Sequence, residues 1–259
     1  MRLCVLGSGS SGNSVLVASA ATHLLIDAGL SGRETLRRLA SVGVDVTRIN
    51  GVCLTHEHDD HRSALPVLHR RHGIALYANA GTIEAIGPRI TGTPLTWNVF
   101  ATGTPFTVGD FTIEPFAVPH DSYDPVGFVV SSGAVRVGIV TDMGMTTSLI
   151  RERLRGCSAI VLEANHDEAM LKDSTRPWTL KQRIAGRQGH LSNRSAGELL
   201  CEIGDATLKT VYLAHLSKDC NSPGVALRTV SGLLKHRGLV HVDVRMTYPD
   251  RVSDVVELA

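Results

Sequence analysis

Short apolar runs alternate with glycine- and serine-rich turns along this chain, and the runs set the expected elements. Residues 3–6, Ser14–Ala18 and 24–27 read as short strands, the first two joined by a glycine-serine turn. A helix is expected over Gly32–Ser41 with Leu36 and Leu39 on its inner face. Residues 51–54 form a buried strand, 62–72 a helix carrying Pro66 near its start, and 75–78 a further strand. Phe106 to Ile113 reads as a hairpin around Gly109-Asp110, and 127–131 with 135–141 as a second one around Ser132-Gly133. After residue 145 the pattern becomes helix 147–155, strand 158–163, helices 178–186 and 194–203, strand 208–214, helix 224–236 and strand 239–246. Two mixed sheets with helices outside them, an α/β sandwich in one domain over 1–259, fit this order.

Composition narrows the class. With 259 residues, 43% apolar and 20% charged, the chain is long enough for a sizeable core without covalent staples. A net charge of +1 means that nucleic-acid binding has to come from local patches. Five widely spaced cysteines without a Cys-x-x-Cys pair suggest reduced thiols and a cytoplasmic location. No apolar run approaches the 18 or so residues of a membrane span, and the N-terminus is too short in apolar residues for a secretory leader.

Function is concentrated in Thr55-His56-Glu57-His58-Asp59-Asp60-His61, directly after an apolar strand. Three imidazoles crowded with carboxylates make poor sense for folding alone, but these are the ligands of zinc, manganese or iron. His56 and His58 are two residues apart and point the same way on an extended segment. Asp60 and His61 lie where the chain turns into a helix and can face a second ion. Further candidates stand where apolar strands end: His120 after 111–118, Asp142 after 135–140 and His215 after 211–214.

In these residues, and in Asp27 of Leu25-Ile26-Asp27-Ala28-Gly29, the sequence resembles the metallo-β-lactamase superfamily over nearly its whole length. The resemblance implies the αβ/βα four-layer sandwich with two mixed β-sheets, and two divalent metal ions, zinc or manganese. One ion would be held by His56, His58 and His120, the other by Asp60, His61 and His215, with Asp142 between them. Asp60 is also expected to act in catalysis. Asp27 would orient ligands without touching metal, and Glu57 and Asp59 would face solvent or support from behind. A shared water of lowered pKa is the chemistry such a pair supplies.

Four further strings, Gly7–Ser14, Val161-Leu162-Glu163-Ala164-Asn165-His166-Asp167, Gly189-His190-Leu191-Ser192-Asn193 and His215 to Asn221, resemble the YycJ (WalJ) exonuclease branch, related to ribonuclease Z. The resemblance implies a 5′-to-3′ DNA exonuclease. Ribonuclease Z has a His-Glu-Ala-Thr string where this chain has Leu162-Glu163-Ala164-Asn165, so a Glu–His relay does not carry over directly. Glu163 remains a catalytic candidate, and His166 or His190 would protonate the leaving oxygen, with His190 favoured for its place before a helix N-terminus. Ser192 and Asn193 there, Ser10, Ser11 and Asn13 in the first loop, and Lys218 are candidate substrate contacts. Six basic residues and one acid between Lys172 and Arg194, a net +5, fit a polyanion, and Trp178 could stack on a base. The 73 residues between Asp142 and His215 leave no room for a β-CASP domain. The competing readings are a small-molecule hydrolase (a cyclic phosphodiesterase or a glyoxalase II-like thioesterase), ribonuclease Z-like RNA processing, and a non-catalytic binder.

Overall fold

In the computed structural model, which describes residues 1–259, fourteen strands form two seven-stranded sheets. The first sheet holds β1 (Arg2–Gly7), β2 (Ser14–Ala18), β3 (His23–Ile26), β4 (Ile49–Cys53), β5 (Ala75–Asn79) and β6 (Trp97–Phe100). The second runs through β7 (Phe106–Val108), β8 (Phe111–Ala117), β9 (Val126–Ser132), β10 (Val135–Val140), β11 (Ala159–Glu163), β12 (Thr210–Ala214) and β13 (Asp243–Met246). The chain then returns as β14 (Val256–Glu257) to pair with the outer edge of β1.

Each sheet begins as an antiparallel meander and ends in parallel strands. β3 through β6 are parallel in the first sheet, and β10 through β13 in the second. Parallel strands need crossover helices, which cover the outer faces. α1 (Gly32–Ser41), α2 (Asp59–Arg62), α3 (Leu65–His72) and α4 (Ala80–Ile86) belong to the first half. α5 (Ser148–Leu154), α6 (Glu168–Asp173), α7 (Trp178–Ile184), α8 (Asn193–Ile203) and α9 (Pro223–His236) belong to the second.

Alternation along the strands builds three apolar layers. Leu3, Val5, Val15 and Val17 meet Phe128, Ile139, Val161 and Tyr212 between the sheets. Cys4, Leu6, Leu16 and Leu25 face Leu39, Leu65 and Leu68 on the outer helices. Leu162, Val211 and Leu213 face Ile150, Leu199, Val230 and their neighbours. This is the four-layer αβ/βα order expected from the sequence.

The expected helix over 62–72 divides into α2 and α3, because Pro66 lacks an N–H and belongs in a first helical turn. The strand expected over 239–246 shortens to β13. α4, α6, β6 and β14 carry too little periodicity to be read from the sequence. All five cysteines are free, and no helix is long and apolar enough to cross a membrane.

Candidate metal centre

The C-terminal ends of the parallel strands of both sheets meet at one edge. From the first sheet come Asp27, which follows β3, and the 55–61 run after β4, with Ile26 and Cys53 in register. From the second come Asp142 after β10, Glu163 at the end of β11 and His215 after β12, with Glu163 beside Ala214. Asp27, Asp142 and His215 have φ values of 61°, 54° and 54° and are the only non-glycine residues with positive φ. At each, the left-handed backbone turns the chain sharply off its strand. Asp and His tolerate that region better than most residues, though with strain.

Hydrogen bonds fix which imidazole nitrogen faces inward. The Thr55 hydroxyl donates to Asp27 Oδ2 (2.9 Å), so it accepts from His56 Nδ1 (2.9 Å) and leaves Nε2 bare. His56 Nε2 faces His58 Nδ1 at 3.0 Å. His61 Nδ1 is held by Asp27 Oδ2 at 2.7 Å, and His120 Nδ1 by the Gly189 carbonyl at 3.2 Å. His120 Nε2 and Asp142 Oδ2 are buried without a hydrogen-bond partner. Asp142 Oδ2 lies 3.1 Å from His61 Nε2 but is not aligned for a bond. His215 Nε2 and His61 Nε2 each lie 3.6 Å from Asp60 Oδ2.

The donor atoms gather in three overlapping groups: His56, His58 and His120; His56, His61 and Asp142; and Asp142, Glu163, His190 and His215. The unpartnered His120 Nε2 and Asp142 Oδ2, with the Nδ1 atoms of His56, His61 and His120 tied back, fit a divalent cation. Burial opposes charge on His61 and His215, but the Asp27 and Asp142 carboxylates beside His61, and Asp142 beside His215, outweigh it and hold both well above the ordinary imidazole range. Burial keeps His56 well below that range, and lowers His120 as well. Asp142 is buried too, yet His215 and His61 hold its carboxyl well below the usual carboxylate range.

Glu163 is fully buried and accepts from four groups: His190 Nδ1 (2.8 Å), His215 Nδ1 (3.0 Å), and the Met143 and Leu191 N–H groups. Burial raises its pKa, but the two imidazoles pull it down to about 2. His190 is raised in turn, the Glu163 charge outweighing its burial. A Glu–His pair therefore forms without the missing first histidine of the string, from residues 27 positions apart. The sequence signal for it was there in two pieces, with nothing in either to show that they touch.

The cleft over the cluster has a volume of 230 Å³ and is lined by His58, Asp60, His120, Asp142, His190 and His215, together with Arg176 and Arg183 from the α7 side. His166 does not line it; it is 3% exposed and pairs by backbone with Ser192. Three expected substrate contacts are turned inward instead. Asn13 joins Gly9 and Ser8 to Asp60, Asn193 exchanges bonds with Asn221 at 0% exposure, and Ser192 caps α8. Short amides and hydroxyls in tight turns satisfy backbone groups first. Ser10, Ser11 and Lys218 are exposed, and of these Ser10 lines the cleft. Glu57 is buried, accepting from the Tyr123 N–H. The basic stretch is partly neutralised: Arg176 pairs with Asp219, Arg183 with Asp121 and Arg194 with Glu198, while Lys181 binds two carbonyls. Trp178 is 68% exposed.

Two sandwiched sheets whose parallel edges converge on a buried His/Asp cluster define a metal-dependent hydrolase. Residues 22–216 match the Beta-lactamase superfamily domain, and the chain belongs to the metallo-β-lactamase superfamily. It is 34% identical to the Exodeoxyribonuclease YycJ of Bacillus anthracis over 92% of this chain and 90% of that one. It is also 34% identical to the Exodeoxyribonuclease WalJ of Streptococcus pneumoniae, over 99% and 98%. Among solved structures, the metallo-β-lactamase fold protein YhfI from Bacillus subtilis superposes with a TM-score of 0.75 at 18% identity, covering 98% of this chain and 99% of that chain.

Proposed function

We propose that this protein is a metal-dependent phosphodiesterase acting on nucleic acid, a 5′-to-3′ DNA exonuclease of the cytoplasm that works as one domain over 1–259. The observation that carries this reading is the joint lining of one cleft by the His/Asp cluster, the Glu163-held His190 and two guanidinium groups. The exodeoxyribonuclease names of relatives at 34% identity support DNA as the polymer.

His56, His58 and His120 would hold one divalent ion, and Asp60, His61 and His215 a second, with Asp142 shared; zinc and manganese both suit this oxygen and nitrogen set. Bound ions of this kind lower the pKa of water and take up charge developing on phosphoryl oxygens. Asp27 and Thr55 keep His61 and His56 in the tautomers that present Nε2. Asn13 steadies Asp60 from below, its amide reaching Oδ2 at 3.2 Å. Glu163 fixes His190 by Nδ1 and favours its protonated form, so Nε2 can deliver a proton to the leaving 3′ oxygen. Arg176 and Arg183 would exchange their carboxylate partners for phosphates.

The test incubates metal-replete protein with end-labelled single- and double-stranded DNA and RNA, beside Asp142→Ala. Wild type is expected to shorten DNA from the 5′ end, and the variant to leave it intact. Identical behaviour of the two proteins on all four substrates defeats the nuclease reading. Faster digestion of RNA would instead favour ribonuclease Z-like processing.

A further inference from the structure

The glycine-serine loop lines a second cavity, of 560 Å³. Ser10 and Ser217 line both this cavity and the metal cleft, so the two spaces share a wall. No carboxylate lines the larger one; its polar surface is hydroxyl, amide and the Lys218 ammonium. The hydroxyls and backbone N–H groups of Ser10 and Ser11, and the Lys218 ammonium, have no partner within the protein. The loop takes this shape through Gly9 (φ 133°) and Gly12 (φ 145°). Tyr248 and Pro249 also line the cavity, and the Arg251 guanidinium lies 3.7 Å over the Tyr248 ring.

The loop is also tied to the metal-type cluster. Asn13 Oδ1 accepts from the Gly9 N–H (2.8 Å) while its Nδ2 reaches Asp60, and Ser8 Oγ accepts from the His215 N–H (2.7 Å). Whatever fills the cavity therefore rests on the same framework that holds the cluster.

Building on the nuclease reading above, we infer that this cavity is an end-binding subsite for the 5′-terminal phosphate of the strand being digested. Ser10, Ser11 and Lys218 hold the phosphate, and the adjoining nucleoside lies against Tyr248 and Pro249. A terminal phosphomonoester carries close to two negative charges and several acceptor oxygens. Free N–H and O–H donors beside one ammonium, in a space without carboxylates, are the complement of that group. The shared wall places the terminal phosphate next to the cleft, so a nearby phosphodiester of the same strand falls over the cluster. An internal stretch of duplex has no phosphomonoester to seat there.

The experiment compares kcat/KM of the metal-replete enzyme on matched linear strands with a 5′-phosphate or a 5′-hydroxyl, for wild type, Lys218→Gln and Ser11→Ala. Wild type is expected to prefer the phosphorylated end by about tenfold, the worth of one charge-assisted contact. Lys218→Gln is expected to cut that preference to about threefold or less, chiefly through KM, and Ser11→Ala to reduce it in the same direction. Because the ratio compares two ends on one protein, a variant that merely folds less well lowers both rates and leaves the ratio alone. A wild-type ratio near one, a ratio unmoved in both variants, or closed circular DNA cut as fast as linear DNA overturns the subsite and leaves the nuclease reading standing. Failure to digest any DNA removes the nuclease reading and the subsite together.

Discussion

His190 belongs to one of the three donor groups, but its Nδ1 is taken by Glu163 and lies 3.7 Å from Asp142. His190→Ala is therefore expected to keep its metal content while DNA cleavage slows by about 10²- to 10⁴-fold, the range for losing a general acid. Metal analysis of the purified variant beside its turnover checks this; a variant that has lost an ion would make His190 a ligand. The residues that face the cluster were legible because each ends an apolar strand, where a lone polar group has little structural reason to be. His190 was legible as a candidate, but its partner was not. The contact needs β11 and the 189–191 turn to meet, and Leu162 in place of a histidine points away from that pairing. Asn13 and Asn193 misled for the opposite reason. In sequence a small polar residue in a glycine- or serine-rich turn looks free, yet here each is consumed by neighbouring backbone and amide groups.

Among the elements, the loops at the strand ends are closely packed at the cluster. A Cβ on Gly29, between β3 and α1, would run into the Asp60 carbonyl and come within 2.8 Å of the Asn13 amide nitrogen. Gly29→Ala is expected to fold but to displace Asp60, so calorimetric titration should show metal binding weakened by about 10- to 100-fold. α1 offers a separate test, remote from the chemistry. Glu34 accepts from Arg37 and Arg38, and these bonds hold its carboxyl down at about 2 against an ordinary 4.5. A depressed folded-state pKa stabilises the fold fully above the unfolded value and loses that effect as pH falls through the folded one. Urea melts should therefore find Glu34→Gln less stable than wild type by about 0.5–1 kcal/mol at neutral pH. The gap should narrow as pH drops from 4.5 toward 2. Long apolar strands and capped helices were readable in advance, α1 to its end residues. The 79–100 stretch was not: α4 rests on the Asn79 cap and β6 is half exposed, so neither imposes a period on the sequence.

On the scale of the whole molecule, the two sheets share one buried polar cluster at an edge that the apolar layer between them does not reach. A bound ion would join side chains from both sheets, and any ligand of the folded state alone stabilises it, by about 2.7 kcal/mol at a hundredfold excess over Kd. Chelation is thus expected to lower the Tm by several degrees, and restoring zinc or manganese to recover it, as calorimetry would show; an unchanged Tm would mean that the cluster takes up no ion. The three left-handed residues at strand ends, Asp27, Asp142 and His215, carry a consequence for engineering and for descent. Glycine relieves such a backbone, so a library of this chain selected for heat resistance with a chelator present, where no ion rewards the cluster, should accumulate glycine or asparagine at these positions early. If the proposed metal roles hold, the first thing such a selection would discard is the enzyme's chemistry, and its winners would be sturdier proteins with little left to catalyse.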